Sequence, residues 1–166
     1  MGRHALSFGY VWPPLGLKAS RLANISMKTT ELVRHERIKN LTAQRHEKGT
    51  DAAVDLWAQM SAQLVLIIGA AGFDSLYVRS VYLSQSSYPW LAGGSVPTPA
   101  DHRFADLQLS LQAQPPTFAR EAKCLLLITF TNILASMIGE SLTARILDSA
   151  WETGPQGPVE KEVNNA

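Results

Sequence analysis

The clearest pattern in the chain is the recurrence of Trp57, Met60, Leu64, Ile67 and Ala71 at intervals of three and four. That spacing lines one face of an α-helix, and Thr50 or Asp51 supplies a capping oxygen at its start. Gly69 and Gly72 weaken the helix near its end. A bend or break is therefore expected before Phe73, Leu76, Tyr77, Val81 and Leu83 resume a helical rhythm, as one kinked helix or as two in succession.

A longer and more hydrophobic element follows the helix-entry sequence Pro115-Pro116-Thr117. It runs to Ile138 and, across a bend at Gly139, continues to Trp151. Upstream, Thr30 to Lys48 is charged, with a thin apolar stripe of Val33, Ile38 and Leu41 and with Gly49 placed to end a helix; this predicts a surface helix. Residues 105–113 alternate as a strand would (Leu107, Leu109, Leu111), yet Phe104, Leu107 and Leu111 also fit a helix. With no partner strand elsewhere, the helix is preferred. Prolines, glycines and serines over 84–100 predict a long loop, pinned by Tyr88, Trp90 and Leu91.

These elements predict an all-α fold, a single helical bundle of four to six helices over residues 28–152, with a tail at 1–27 and a disordered tail at 153–166. Trp57, Leu64, Ile67, Phe73, Leu126, Phe130, Ile133 and Met137 are expected to form the core.

Composition supports one folded domain: 166 residues, 46% hydrophobic and 17% charged. The net charge of +1 hides an asymmetry. Residues 1–48 carry nine Lys and Arg against three Asp and Glu (+6), leaving six against eleven (−5) for residues 49–166. A basic front of this kind serves an anionic partner or packs on the acidic remainder. The single cysteine, Cys124, excludes an internal disulfide and fits a reducing, cytoplasmic setting. Its leucine neighbours mark it as a buried apolar residue rather than a nucleophile.

The first residues do not read as a secretory signal, because Pro13-Pro14, Lys18 and Arg21 interrupt the apolar run. Met1-Gly2 falls short of a myristoylation signal, since Leu6 stands where Ser or Thr is needed. Residues 1–26 lack acidic residues, which fits a targeting segment, a tail, or a true start at Met27. The run Cys124 to Ile138 is shorter than the roughly 20 residues of a spanning helix and contains Thr129, Thr131, Asn132 and Ser136, so no transmembrane segment is expected.

Chemical motifs are sparse. His46-Glu47-Lys48-Gly49 superficially resembles a histidine phosphotransfer motif but lacks one residue between His and Lys-Gly. His35-Glu36 lacks the downstream proline of a kinase phosphoacceptor. His35 and His46 share a helical face about 16 Å apart, too far for one metal ion. Nucleophile-elbow and phosphate-loop motifs are absent, and Gly69-Ala70-Ala71-Gly72 has too few glycines to cradle a phosphate. Neither a cofactor nor a metal is expected. Arg34, Arg37, Arg45 and Lys48 form a candidate basic contact face, but no aromatics interleave with them and Glu31, Glu36 and Glu47 offer local pairs, which argues against nucleic acid.

The most informative feature is a narrow polar stripe, Thr129, Asn132, Ser136, Glu140 and Thr143, with Gly139 beside it. Small neutral polar residues let helices approach closely. The stripe is either a helix–helix interface, such as a homodimer seam, or an inner face of the chain's own bundle. The functional expectation is a non-enzymatic interaction or accessory protein, of the kind found in bacterial signalling or regulation, binding a protein partner or itself. Two alternatives are a small-ligand binder or enzyme with a pocket between helices using Asn132, Glu140 and Arg145, and a basic-helix binder of nucleic acid or membrane surfaces.

Overall fold

The computed structural model describes residues 16–46, 51–91 and 103–152. Among them are five helices and no strand: α1 (Gly16–His46), α2 (Asp51–Ser84), α3 (Ala105–Gln112), α4 (Pro116–Ile138) and α5 (Glu140–Glu152). The fold is the all-α bundle that the apolar periodicity implies. Lys48, residues 1–15 and the tail from 153 onward lie outside the described residues.

α1 begins at Gly16, ahead of the predicted Thr30. Pro13-Pro14 is the last breaker before a run rich in good helix formers, Leu17, Lys18, Ala19, Arg21, Leu22 and Ala23. Residues 105–112 are helical, and Leu107 and Leu111 are their buried pair.

α2 is not straight. Gly69 sits at φ 76°, ψ 163°, outside helical geometry and in a region that glycine alone adopts readily. The chain folds back there. Trp57 and Tyr77 would lie about 30 Å apart along a continuous helix, yet their rings meet edge to face at 5.3 Å. Arg103 clamps the two arms: its Nε lies 2.9 Å from Asp74 Oδ1, its Nη1 donates to Ser61 Oγ at 2.9 Å, and its guanidinium lies over the Phe73 ring. A second glycine, Gly139 at φ 90°, ψ 152°, breaks the helix between α4 and α5 in the same manner. α5 returns along the bundle, and Trp151 Nε1 donates to the Leu56 carbonyl at 3.4 Å.

Both turns lie at one end of the molecule. Leu127 and Thr42 share a small void with Leu56 and Trp57. Leu127 is twelve residues before Gly139, Trp151 is twelve after it, and Trp57 is twelve before Gly69, so each is about 18 Å from its turn. Phe130, nearer its turn than Leu127, touches Trp57 and reaches Phe73, four residues past Gly69, at 5.4 Å. The arms therefore run in step toward a common end.

The core is aromatic at its centre, with Trp57, Phe73, Tyr77, Phe104 and Phe130 in mutual contact. Edge-to-face pairs of this type add about 0.5–1.5 kcal/mol each beyond their area. Of the expected core, Trp57, Leu64, Phe73, Leu126 and Phe130 are buried, and Ile133 packs against them partly buried. Ile67 and Met137 are corrections: both are exposed. Each points away from the core, and the residue after it, Ile68 or Ile138, closer still to the glycine turn, is the one packed against the core.

After α2 the chain turns at Ser84–Leu91, where Tyr88 N–H donates to the Ser84 carbonyl at 2.9 Å and Gln85 Nε2 to that of Leu91 at 2.7 Å. Leu91 is buried and Tyr88 meets Trp90 edge on, the expected pinning of this loop. Residues 92–102 lie outside the described part.

Candidate functional site

The polar stripe of α4 and α5 faces α1, and its centre is occupied by Arg34. This arginine shares an inward face with Ile38 and Thr42, at helical spacing, and is 5% exposed. Its Nε donates to Glu140 Oε1 at 2.7 Å and its Nη2 to Glu140 Oε2 at 3.1 Å, a two-point fork on one carboxylate. Nη1 donates to Thr131 Oγ1 at 2.5 Å and Nη2 also to Asn132 Oδ1 at 3.0 Å. His35 Nε2 lies 2.8 Å from the same Asn132 oxygen. Because that oxygen only accepts, His35 is the donor through Nε2.

Local backbone explains why these groups meet. The turn at Gly139 makes Glu140 the first residue of α5, where the free N–H groups and dipole of the helix favour a carboxylate. Thr143 is buried, with Oγ1 donating to the Gly139 carbonyl at 2.9 Å. Ser136 is exposed and bonds back to the Ile133 carbonyl at 2.6 Å; Thr129 is half-buried. The stripe thus divides. Asn132 and Glu140 receive α1, Thr143 and Gly139 shape the turn, and Ser136 faces outward. Thr131, buried and one position off the stripe, completes the arginine's shell and is not singled out by periodicity.

The expected basic face is rearranged by the same packing. Arg34 is turned into the bundle and unavailable to an external anion, and Arg37 is hydrogen-bonded to Asp148 of α5. Arg45 is half-buried beside the small void.

That void measures about 10 Å³ and is lined by Thr42, Arg45, Leu56, Trp57, Leu111, Lys123 and Leu127, room for about one water. The Lys123 Nζ is buried without a hydrogen-bond partner, and burial lowers its pKa from 10.5. Burial also pushes the Cys124 thiol up, which keeps it protonated and unreactive. An open groove of about 540 Å³ runs along α1 between Leu32, Val33, Glu36, Arg37, Asn40 and Gln44. Among the described residues, no group of three or more His, Cys, Asp or Glu is placed to hold a metal ion.

Two helical stretches, Val54–Ser84 and Pro116–Ile138, are long and apolar enough by length and composition to cross a membrane, each with mean hydropathy 1.5. Large apolar side chains are exposed on them, Leu66 at 83%, Tyr82 at 73%, Met137 at 64% and both Ile67 and Phe118 at 54%; Leu142 of α5 is 44% exposed. Leu66, Ile67, Met137 and Leu142 stand within three residues of a glycine turn, at the common end of the bundle, whereas Val78, Tyr82, Leu83 and Phe118 are exposed farther from the turns. No protein-family model, curated protein or solved structure matches the chain.

Proposed function

We propose that this chain is a non-enzymatic helical interaction protein whose docking surface is the apolar end formed by the two glycine turns. The observation that carries the reading is the distribution of unsatisfied surface. The polar stripe is bonded to Arg34 within the chain, whereas Leu66, Ile67, Met137 and Leu142 leave apolar surface in water at one end. Clustered exposed apolar side chains, unlike scattered ones, mark contact sites. A pocket between helices is less well supported, because Asn132 and Glu140 are already occupied by Arg34 and Arg145 lies exposed on α5.

Replacing Leu66 and Ile67 together by Asp tests the reading. The parent is expected either to bind an apolar fluorescent probe or to exceed 18.1 kDa in light scattering, and the variant to lose that property while keeping its helical circular dichroism. A parent that is monomeric, binds no probe and matches the variant in both measurements refutes the docking end.

A further inference from the structure

The small void of about 10 Å³ gathers residues from four helices: Arg45 of α1, Leu56 and Trp57 of α2, Leu111 of α3, and Lys123 and Leu127 of α4. Two of these are cations, and among the described residues no carboxylate lines the void. Lys123 is 4% exposed, and its Nζ is buried with no hydrogen-bond partner. Burial lowers its pKa from 10.5, and no carboxylate among the described residues opposes that shift. A buried ammonium is ordinarily paired, because the cost of taking a charge out of water is offset only by an opposite charge and hydrogen bonds at close range. Here a second cation, Arg45, borders the space where a counter-charge is wanted.

We infer that this void binds one monatomic anion, chloride in ordinary saline, between Lys123 and Arg45. The site lies apart from the apolar end and does not depend on the docking reading.

Size and wall chemistry select the guest. Room for about one water admits a single atom and excludes phosphate, sulfate and carboxylates. A water there could accept a hydrogen bond from Lys123, yet both positive charges would stay uncompensated; an anion accepts the bond and supplies the charge. Leu56, Trp57, Leu111 and Leu127 make the rest of the wall apolar, which suits chloride or bromide better than the more strongly hydrated fluoride. Thr42, also on the wall, has committed its hydroxyl proton to the Ile38 and Lys39 carbonyls at 2.8 and 2.9 Å, so the charged donors are the ammonium and the guanidinium. Because the lining comes from α1, α2, α3 and α4, the anion belongs to the folded chain alone and stabilises it on binding.

Urea unfolding of the full chain at fixed ionic strength, with chloride replacing gluconate stepwise, tests the site. A ligand bound only by the folded chain raises the folded-to-unfolded ratio about tenfold for each tenfold rise in its concentration above the dissociation constant. The parent is expected to show that rise with chloride and with bromide, and not with sulfate. Lys123→Met should abolish the dependence, and Arg45→Gln should move it to chloride concentrations on the order of tenfold higher. Chloride nuclear magnetic resonance reads the same site without unfolding: the folded parent should broaden the chloride line, and bromide should reverse the broadening. Where Lys123→Met does not fold, that displacement in the parent and its weakening in Arg45→Gln decide the matter. An equal chloride response in parent and Lys123→Met is a general salt effect and overturns the site. A sulfate response equal to the chloride response overturns it as well, and so does a parent that neither gains stability from chloride nor broadens its line.

Discussion

The least comfortable residue in the bundle is Lys123, a buried ammonium with no hydrogen-bond partner. Leaving such a donor unsatisfied costs about 1–3 kcal/mol, more when it is charged. Burial lowers its pKa below 10.5, so above the folded value the unfolded chain holds more protons at this site. Its contribution to stability is accordingly least favourable below the folded pKa, improves as pH rises through the window up to 10.5, and is level beyond. Cys124 works the other way, because its raised pKa makes the folded chain the better proton holder from pH 9.0 upward. Lys123→Met separates the two. Urea unfolding of parent and variant should show Met more stable by about 1–3 kcal/mol at neutral pH, with the gap narrowing toward pH 10.5. A gap independent of pH would mean that folding does not lower the Lys123 pKa. The sequence alone assigns this lysine no role, for a physical reason: a cation in the first turns of an apolar helix ordinarily reaches water along its stem, and only the neighbouring helices decide whether it does.

At the scale of elements, two glycines convert long apolar helices into arms that fold back. Their effect is partly legible in the sequence. Gly69 and Gly72 announce a break, and Gly139 a bend, but the amphipathic period of α2 continues through the break and carries no sign of how sharply the chain turns. The turn angle belongs to the backbone at one residue, and only Gly69 takes a positive φ there. A Cβ at Gly69 meets nothing within 4 Å, so a side chain would be opposed by backbone strain alone, whereas a Cβ at Gly72 makes ordinary contact with Ile68. Opposite outcomes follow from one substitution. Gly69→Ala should lower stability by about 1–3 kcal/mol through its φ of 76°. Gly72→Ala, inside a helix, should raise it by up to about 1 kcal/mol. Denaturant midpoints of the two variants check the contrast, and a Gly69→Ala protein as stable as the parent would show that the turn tolerates a side chain. Ile67 and Met137 satisfy the period yet lie outside the core, while the adjacent Ile68 and Ile138 pack against it. Period identifies a face, and the packed neighbours decide which edge of that face is buried.

For the whole molecule, α1 is fixed on the remaining helices by a buried arginine, Arg34. The class of fold follows from apolar spacing, and so does the interior role of Asn132 and Glu140 as one of two readings of the stripe. The partner does not, because Arg34 lies almost a hundred residues from Asn132 in a stretch whose charges look uniformly solvent-facing. One cue is present: Arg34 falls on the stripe of Ile38 and Thr42, so that α1 must either bury a charge or leave its apolar face exposed. Glu140, Thr131 and Asn132 resolve that conflict by accepting hydrogen bonds from all three nitrogens of the guanidinium. Removing one partner should therefore harm more than removing both. Arg34→Ala leaves Glu140 with an uncompensated, mostly buried carboxylate and should destabilise by about 3–5 kcal/mol, while Arg34→Met with Glu140→Gln should recover a large part of the loss. Hydrogen exchange adds the spatial readout. In Arg34→Ala the amides of α1 should lose protection ahead of those around Trp57, Phe73 and Phe130, because the aromatic core is held by the other helices. Uniform loss across all five helices would instead make α1 part of one cooperative unit.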